Sequence, residues 1–255
     1  MLRARSPLRA GALALTAAAL VLVLEPTPVR PASAGSAADG ISSADGTPAP
    51  VGGSKSKLRR KYRTDFTGVE NPLSEGGAWS NNGLDWARVI KADGMAQGTQ
   101  SGNNGYDDSY ATLSGFPPDQ IARAVVQIAP GIHPPCTHEV ELHLRWSDAP
   151  HWAQGYEINL GMGSYMQIVR WNGPIGDFTE LASVWLPPAN DGDIFRASIV
   201  GNVITGYLNG VPLVQATDST FATGNPGVGF FRRDCGSNQD FTFRNFRARA
   251  HRLAP

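Results

Sequence analysis

From residue 139 onward the chain alternates apolar and polar side chains with a period of two, and this alternation constrains the fold more than any other feature. Within 139–146, Val140, Leu142, Leu144 and Trp146 share one side of an extended strand, and Glu139, Glu141, His143 and Arg145 share the other. Tyr156, Ile158 and Leu160 then alternate with Glu157 and Asn159, and Met166 and Ile168 with Gln167 and Val169. Further strands are read at 182–186, 194–200, 203–208, 211–215, 227–231 and 241–248. Asn209-Gly210, between two of these runs, is the strongest short hairpin signal. A single helical turn is expected at 118–122. The pattern predicts an all-β chain folded as a two-sheet antiparallel jelly-roll sandwich.

Composition agrees. The 255 residues include 29 Gly and 19 Pro with only 17% charged side chains, which suits a turn-rich β protein better than a helical bundle. Six Trp and 41% hydrophobic residues supply a core and exclude a disordered chain.

Side-chain parity limits the registers, because directly paired residues must point to the same face. Folding 139–146 onto 155–162 about the loop 147–154 pairs Arg145 with Glu157 and His143 with Asn159. Folding 155–162 onto 165–171 about 161–164 pairs Asn159 with Gln167 and carries Trp171 onto the same face. The expected result is a three-strand polar surface of Glu141, His143, Arg145, Glu157, Asn159, Gln167 and Trp171. Arg170 falls on the apolar side and is placed at the sheet edge.

The N-terminus reads as a targeting segment. Arg3, Arg5 and Arg9 precede 15 uncharged residues, 10–24, and Ala32-Ser33-Ala34 offers a cleavage site. As a helix the apolar stretch covers about 22 Å, short of a ~30 Å hydrocarbon core. Residues 1–34 are therefore expected to be a signal peptide, the protein secreted to the extracellular space, with no membrane span after cleavage. Residues 35–63 are read as a flexible linker ending in a basic run (Lys55, Lys57, Arg59, Arg60, Lys61, Arg63), and 64–252 as one folded domain. In an exported protein the only cysteines, Cys136 and Cys235, are expected to form a disulfide, closing a loop worth up to about 4.7 kcal/mol.

Net charge is zero over the chain, but from Thr64 onward 12 Lys and Arg face 19 Asp and Glu, a balance of −7. That argues against nucleic acid as the domain's main partner, while leaving room for a local basic pocket.

Three segments carry a family resemblance: 207–213 (YLNGVPL), 221–231 (FATGNPGVGFF) and 241–246 (FTFRNF). Across about residues 64–250 the chain resembles the concanavalin A-like lectin/glucanase superfamily, most closely its laminin-G-like and 3-keto-disaccharide-hydrolase-like domains of exported bacterial proteins. The resemblance implies a jelly roll with one concave face, often a sugar groove, and the polar three-strand surface is the candidate for that face. The superfamily hosts lectins, glycosidases, lyases and adhesion modules, so the fold alone does not select an activity.

The residue chemistry narrows this. Trp171 beside Gln167 and Asn159 offers an apolar platform for a pyranose face with amides for its hydroxyls, and Trp152 could form a rim. The glucanases of the superfamily carry E-x-D-x-x-E on one strand. Here the nearest string is Glu139-Val-Glu141-Leu-His143, with Glu for the central Asp and His for the last acid. On a strand Glu139 and Glu141 have Cα atoms about 6.8 Å apart, compatible with either retaining or inverting carboxylate pairs. In the expected register Glu141 and Glu157 are about 14 Å apart, and Glu157 pairs with Arg145 instead. A lyase would need Arg145, Gln167 or Asn159 to neutralise a uronate, and His143 or Tyr165 as base. Asp107, Asp108 and Asp240 are candidate ligands for the structural Ca²⁺ common in the superfamily; no other cofactor is expected. The reading is a carbohydrate-binding protein. Its first alternative is a glycan-cleaving enzyme using Glu141 with Glu139 or His143, and its second a structural or adhesion module.

Overall fold

Period-two alternation buries one side of each strand, so strands of this type must stack in two layers. The structure, a computed structural model, describes residues 61–82, 87–102, 108–131, 137–233 and 236–251. In chain order the strands are β1 (Lys61–Arg63), β2 (Ile90–Ala92), β3 (Met95–Gln97), β4 (Ser109–Thr112), β5 (Gln120–Ile128), β6 (Thr137–Ala149) and β7 (Trp152–Gly161). They continue with β8 (Tyr165–Pro174), β9 (Phe178–Trp185), β10 (Ile194–Val200), β11 (Val203–Leu208), β12 (Val211–Thr217), β13 (Asn225–Arg233) and β14 (Phe241–Ala250). One sheet has the order β12-β11-β10-β5-β14-β3-β2, with β1 also pairing β14; the other has the order β4-β13-β6-β7-β8-β9, and all pairings are antiparallel. This is the two-sheet jelly-roll sandwich that the alternation predicts.

The inward faces of the two sheets share one core. Phe195 and Phe243 from the eight-stranded sheet and Leu142, Tyr156, Ile158 and Ile168 from the six-stranded sheet are fully buried. Burial of each such side chain stabilises the fold by about 1.5–3 kcal/mol. At the β11–β12 hairpin, Asn209 and Gly210 take positive φ values of 51° and 85°, the geometry of the tight turn their identity predicts.

Several expectations need correction. No helical turn forms at 118–122, where Gln120 already begins β5. Strands β2 to β5 lack a strong alternation: β5 buries the small residues Ala122 and Ala124 inward while Ile121 lies on the outward side, which blurs its pattern. Lys61–Arg63, assigned to the linker, form β1 against β14.

The largest correction lies in β6. A bulge between Leu144 and Ser147 sets Arg145 and Trp146 opposite a single stretch of β7, with Arg145 at φ 48°. The bulge reverses parity from that point. Trp146 leaves the Leu142–Leu144 side and joins Tyr110, Ala153, Val169 and Trp171 in a second apolar cluster on the outward face of the six-stranded sheet. Arg145 turns the other way. The register upstream of the bulge is shifted by two from the expected one, so that His143 faces Glu157 and Glu141 faces Asn159. The Asn159–Gln167 pairing is as expected. Arg170 does lie on the inward side, where its guanidinium meets Asp218 at 2.7 Å beyond the core.

The signal segment 1–34, the linker with most of its basic run, both cysteines and Asp107 lie outside the described residues. Among the described residues no helix is long and apolar enough to cross a membrane.

Candidate functional site

The outward face of the six-stranded sheet is built from rows of residues in register. One row runs Tyr110, Gly229, Glu141, Asn159, Gln167, Ser183 from β4 to β9, and the next carries Gly227, His143, Glu157, Val169 and Glu180. Glycine at 229 is required by its neighbours: a Cβ there would stand 1.9 Å from Glu141 Oε2 and 2.6 Å from His143 Nε2. The acid and the imidazole therefore lean across β13. His143 stacks on Trp146 with ring centroids 3.9 Å apart and planes 13° apart, and Tyr110 meets it edge-on at 5.1 Å.

This packing seals Glu141 and His143 completely, while Glu157 and Asn159 are 4% and 3% exposed. Glu141, His143 and Glu157 each bring a polar atom within 4.8 Å of the others, and His143 Nε2 lies 3.2 Å from Glu141 Oε2. The expected separation of about 14 Å between Glu141 and Glu157 is thus overturned, because the two-residue shift in register brings them to neighbouring positions.

Burial first, and then the facing carboxylates, push the Glu141 and Glu157 carboxyls well above the ordinary range. Burial lowers the His143 imidazole to about 3, so it is a neutral ring at any physiological pH. Burial also raises Glu139, against hydrogen bonds from Tyr165 and Asn159 that lower it. The Tyr110 hydroxyl, itself raised by burial, donates to Asp108 Oδ2 at 2.8 Å.

Two buried carboxylates and a neutral imidazole form a donor set of the kind that borderline divalent ions such as Zn²⁺ accept. They do not suit calcium, which takes about six to eight oxygens. Of the residues proposed for calcium, Asp108 sits beside this cluster. Asp240 instead closes the 237–240 turn by accepting from the Ser237 backbone N–H at 2.6 Å and hydroxyl at 2.8 Å.

Above the sealed layer is a pocket of about 140 Å³. Its polar lining comes from Asp108, Glu139, Glu157, Asn159 and Gln167, and its apolar walls from Val169, Trp171, Phe178 and Phe231. Asn159 Nδ2 donates to Glu139 Oε2 and to Glu157 Oε1, both at 3.2 Å, so the two carboxylates are separated by less than twice that distance. Gln167 is half-buried and donates to Glu180 Oε2 at 3.0 Å.

The assignments of five site residues change. Trp171 is 3% exposed, and its indole N–H donates to Glu157 Oε2 at 2.7 Å; it is a wall of the pocket rather than an open platform. Arg145 leaves this face altogether. Its guanidinium donates to the carbonyls of Pro118, Phe221 and Gly201 and lies 3.5 Å from Asp119, so the expected pair with Glu157 does not form. Trp152 is half-buried and has the inward parity of Tyr156, with Ala153 taking the outward position. Glu141 and His143 lie beneath the pocket lining instead of in it.

Sequence reasoning missed the exposed aromatics. Trp185 is 82% and Phe178 43% exposed. Both lie on edge strand β9: Trp185 is paired with Tyr165 and its ring is edge-on to that tyrosine at 6.1 Å, and Phe178 is paired with Trp171 at 5.4 Å. The signal was alternation along β9, but a bulge opposite Ile168 and Val169 breaks the period between Glu180 and Ser183.

The class defined by this architecture is the two-sheet antiparallel jelly roll. No family model and no curated protein matches the chain. Among solved structures, the carbohydrate-binding module CBM66 from Bacillus subtilis is similar at 18% identity and a TM-score of 0.52, over 70% of this chain and 99% of that one. The exoplasmic/lumenal domain of VIP36, in a Ca²⁺/Man3GlcNAc-bound form, is similar at 11% identity and a TM-score of 0.48, over 73% and 92%. The β-porphyranase BpGH16B from the human gut bacterium Bacteroides plebeius is similar at 10% and 0.44, over 73% and 89%. At 18% identity the likeness to CBM66 is one of fold.

Proposed function

We propose that this is an exported carbohydrate-binding protein that recognises a neutral glycan on the outward face of its six-stranded sheet, the face that the sequence resemblance reads as concave. The observation that carries the reading is the pairing of two exposed aromatic rings with a polar pocket on one face. Trp185 and Phe178 face the same side, separated by the length of β8 from Tyr165 to Trp171, about 20 Å of strand. Between them lie Gln167, Ser183 and Glu180, which can hydrogen-bond hydroxyls, beside the pocket floored by Glu157 and Asn159. At about 140 Å³ the pocket is smaller than the ~300–1,000 Å³ of sites for drug-sized ligands, and it suits one sugar ring while the aromatics hold its neighbours. Retention on a panel of neutral polysaccharides tests this. The parent protein should be retained on at least one, and Trp185→Ala should lose that retention with an unchanged unfolding midpoint. Equal retention of both would sink the proposed face.

A second reading rests on a separate observation. Glu139 and Glu157 both line the pocket, share the Asn159 amide and are both raised, and their separation is compatible with the ~5–5.5 Å of a retaining glycosidase pair. Reducing-end release that disappears in Glu157→Gln would favour it. The pairs expected from sequence, Glu141 with Glu139 or His143, are less suited, since Glu141 and His143 are sealed from any substrate.

A further inference from the structure

The opposite side of the sandwich carries a groove of about 630 Å³ on the outward face of the eight-stranded sheet. Six basic side chains line it, Lys61, Arg63, Arg123, Arg196, Arg247 and Arg249, and among the described residues no carboxylate does. Their placement follows from register. Arg63 is paired with Arg247, Arg247 with Arg123, and Arg123 with Arg196, so four arginines stand in one line across β1, β14, β5 and β10. At a strand spacing near 4.8 Å the line spans about 14 Å. Lys61 and Arg249 form a second pair one step along the strands. Ala122, Ala197 and Ala248, the alternate residues, are buried in the core, which fixes all six cations outward. The line ends at Tyr207, over whose ring the Arg196 guanidinium sits at 4.2 Å.

Like charges directly opposite one another on a sheet oppose folding. None of the six makes an ion pair with a described carboxylate. From Lys61 onward the chain carries an excess of acids, 19 against 14 bases, yet this groove collects only bases. Lys55, Lys57, Arg59 and Arg60 immediately precede β1 in sequence.

We propose that this groove binds an extended anionic polysaccharide, whose repeating carboxylate or sulfate groups are taken one after another by the arginine line. Guanidinium groups bind such planar or tetrahedral oxyanions through paired N–H donors. Ile121 and Ile194 supply apolar surface between the cations for the C–H faces of sugar rings, and Asn209 supplies an amide for hydroxyls. The cations stand in one line about 14 Å long, which suits a single extended chain better than a flat lipid surface. A single nucleic-acid strand would call for a series of open stacking rings, and here Tyr207 is already covered by Arg196. The site lies on the other sheet from the proposed glycan pocket and does not depend on it.

The test is binding of the full-length chain to polygalacturonate and to dextran sulfate, with uncharged dextran, phosphatidylcholine vesicles containing phosphatidylserine, and single-stranded DNA alongside. Measurements at about 0.01 M and about 1 M salt, where the screening length falls from about 30 Å to about 3 Å, read the ionic contribution. The expected result is binding to one or both anionic polysaccharides at low salt that is lost at high salt. An Arg123→Gln/Arg247→Gln variant should weaken it about tenfold or more with an unfolding midpoint equal to or above the parent's, and Trp185→Ala should leave it unchanged. Three results would overturn the proposal: no binding to either polyanion by the parent, undiminished binding by the double variant, or tighter binding to the vesicles or the DNA.

Discussion

The two outward faces of this sandwich are made by the same device, strand alternation in register, and they carry opposite chemistry. On the six-stranded sheet the rows bring Glu141, Glu157, Asn159 and His143 together under aromatic rings, and the polar groups are buried. On the eight-stranded sheet the rows bring four arginines together and leave them at the surface of an open groove. The difference lies in what covers each row. Tyr110, Trp146 and Trp171 roof the acids, which raises their hold on protons, whereas Arg63 and Arg247 are exposed and Arg123 and Arg196 half-buried along a groove. A near-neutral chain can therefore hold two unlike polar surfaces, one acidic and buried and one basic and accessible, which an overall net charge conceals.

The comparison can be broken first at Trp171. Because it is a buried wall whose N–H satisfies Glu157, Trp171→Ala should cost about 3–5 kcal/mol in chemical denaturation. A substitution within about 0.5 kcal/mol of the parent would mean the ring is an exposed platform after all. Gly229→Ala comes next, since its methyl collides with Glu141 and His143; crowding of this kind costs about 1–3 kcal/mol.

The pH dependence of stability distinguishes the buried acids from the buried histidine. Glu141 and Glu157 keep their protons in the folded state beyond the unfolded value near 4.5, so their contribution is full below that value and is lost as pH rises through their raised folded range. His143 works in the other direction. Its folded value of about 3 lies below the unfolded 6.5, so its contribution is present above 6.5 and is lost as pH falls toward 3. Unfolding midpoints followed across pH should fall on both sides, and Glu141→Gln should flatten the alkaline side alone. A parent profile that is flat on that side would show the acids to be compensated by something other than protons.

Smaller effects should come from the exposed residues. Trp185→Ala should change stability by no more than about 0.5 kcal/mol while removing glycan retention. Arg123→Gln relieves two like-charged neighbours and should raise stability by a few tenths of a kcal/mol, more at low salt. A loss in that variant would show that the arginine line already has an internal partner.

Alternation of local sequence determined that the chain is all-β, where β10, β11 and the Asn209-Gly210 hairpin lie, and that Glu141, His143, Glu157, Asn159 and Gln167 share one face. These properties need only the period of an extended strand and the turn preference of a dipeptide. The tertiary structure decided what period alone cannot. A bulge at Arg145 and Trp146 sent the arginine away from the face and brought the indole onto it. Sequence also could not show that the polar row is buried, because burial depends on Tyr110, Trp146 and Trp171 arriving from three different strands. Nor could it show the arginine line, whose four members come from strands separated by up to about 180 residues of chain and meet only through cross-strand register. Local sequence sets which way each side chain points, and long-range pairing sets what it meets there.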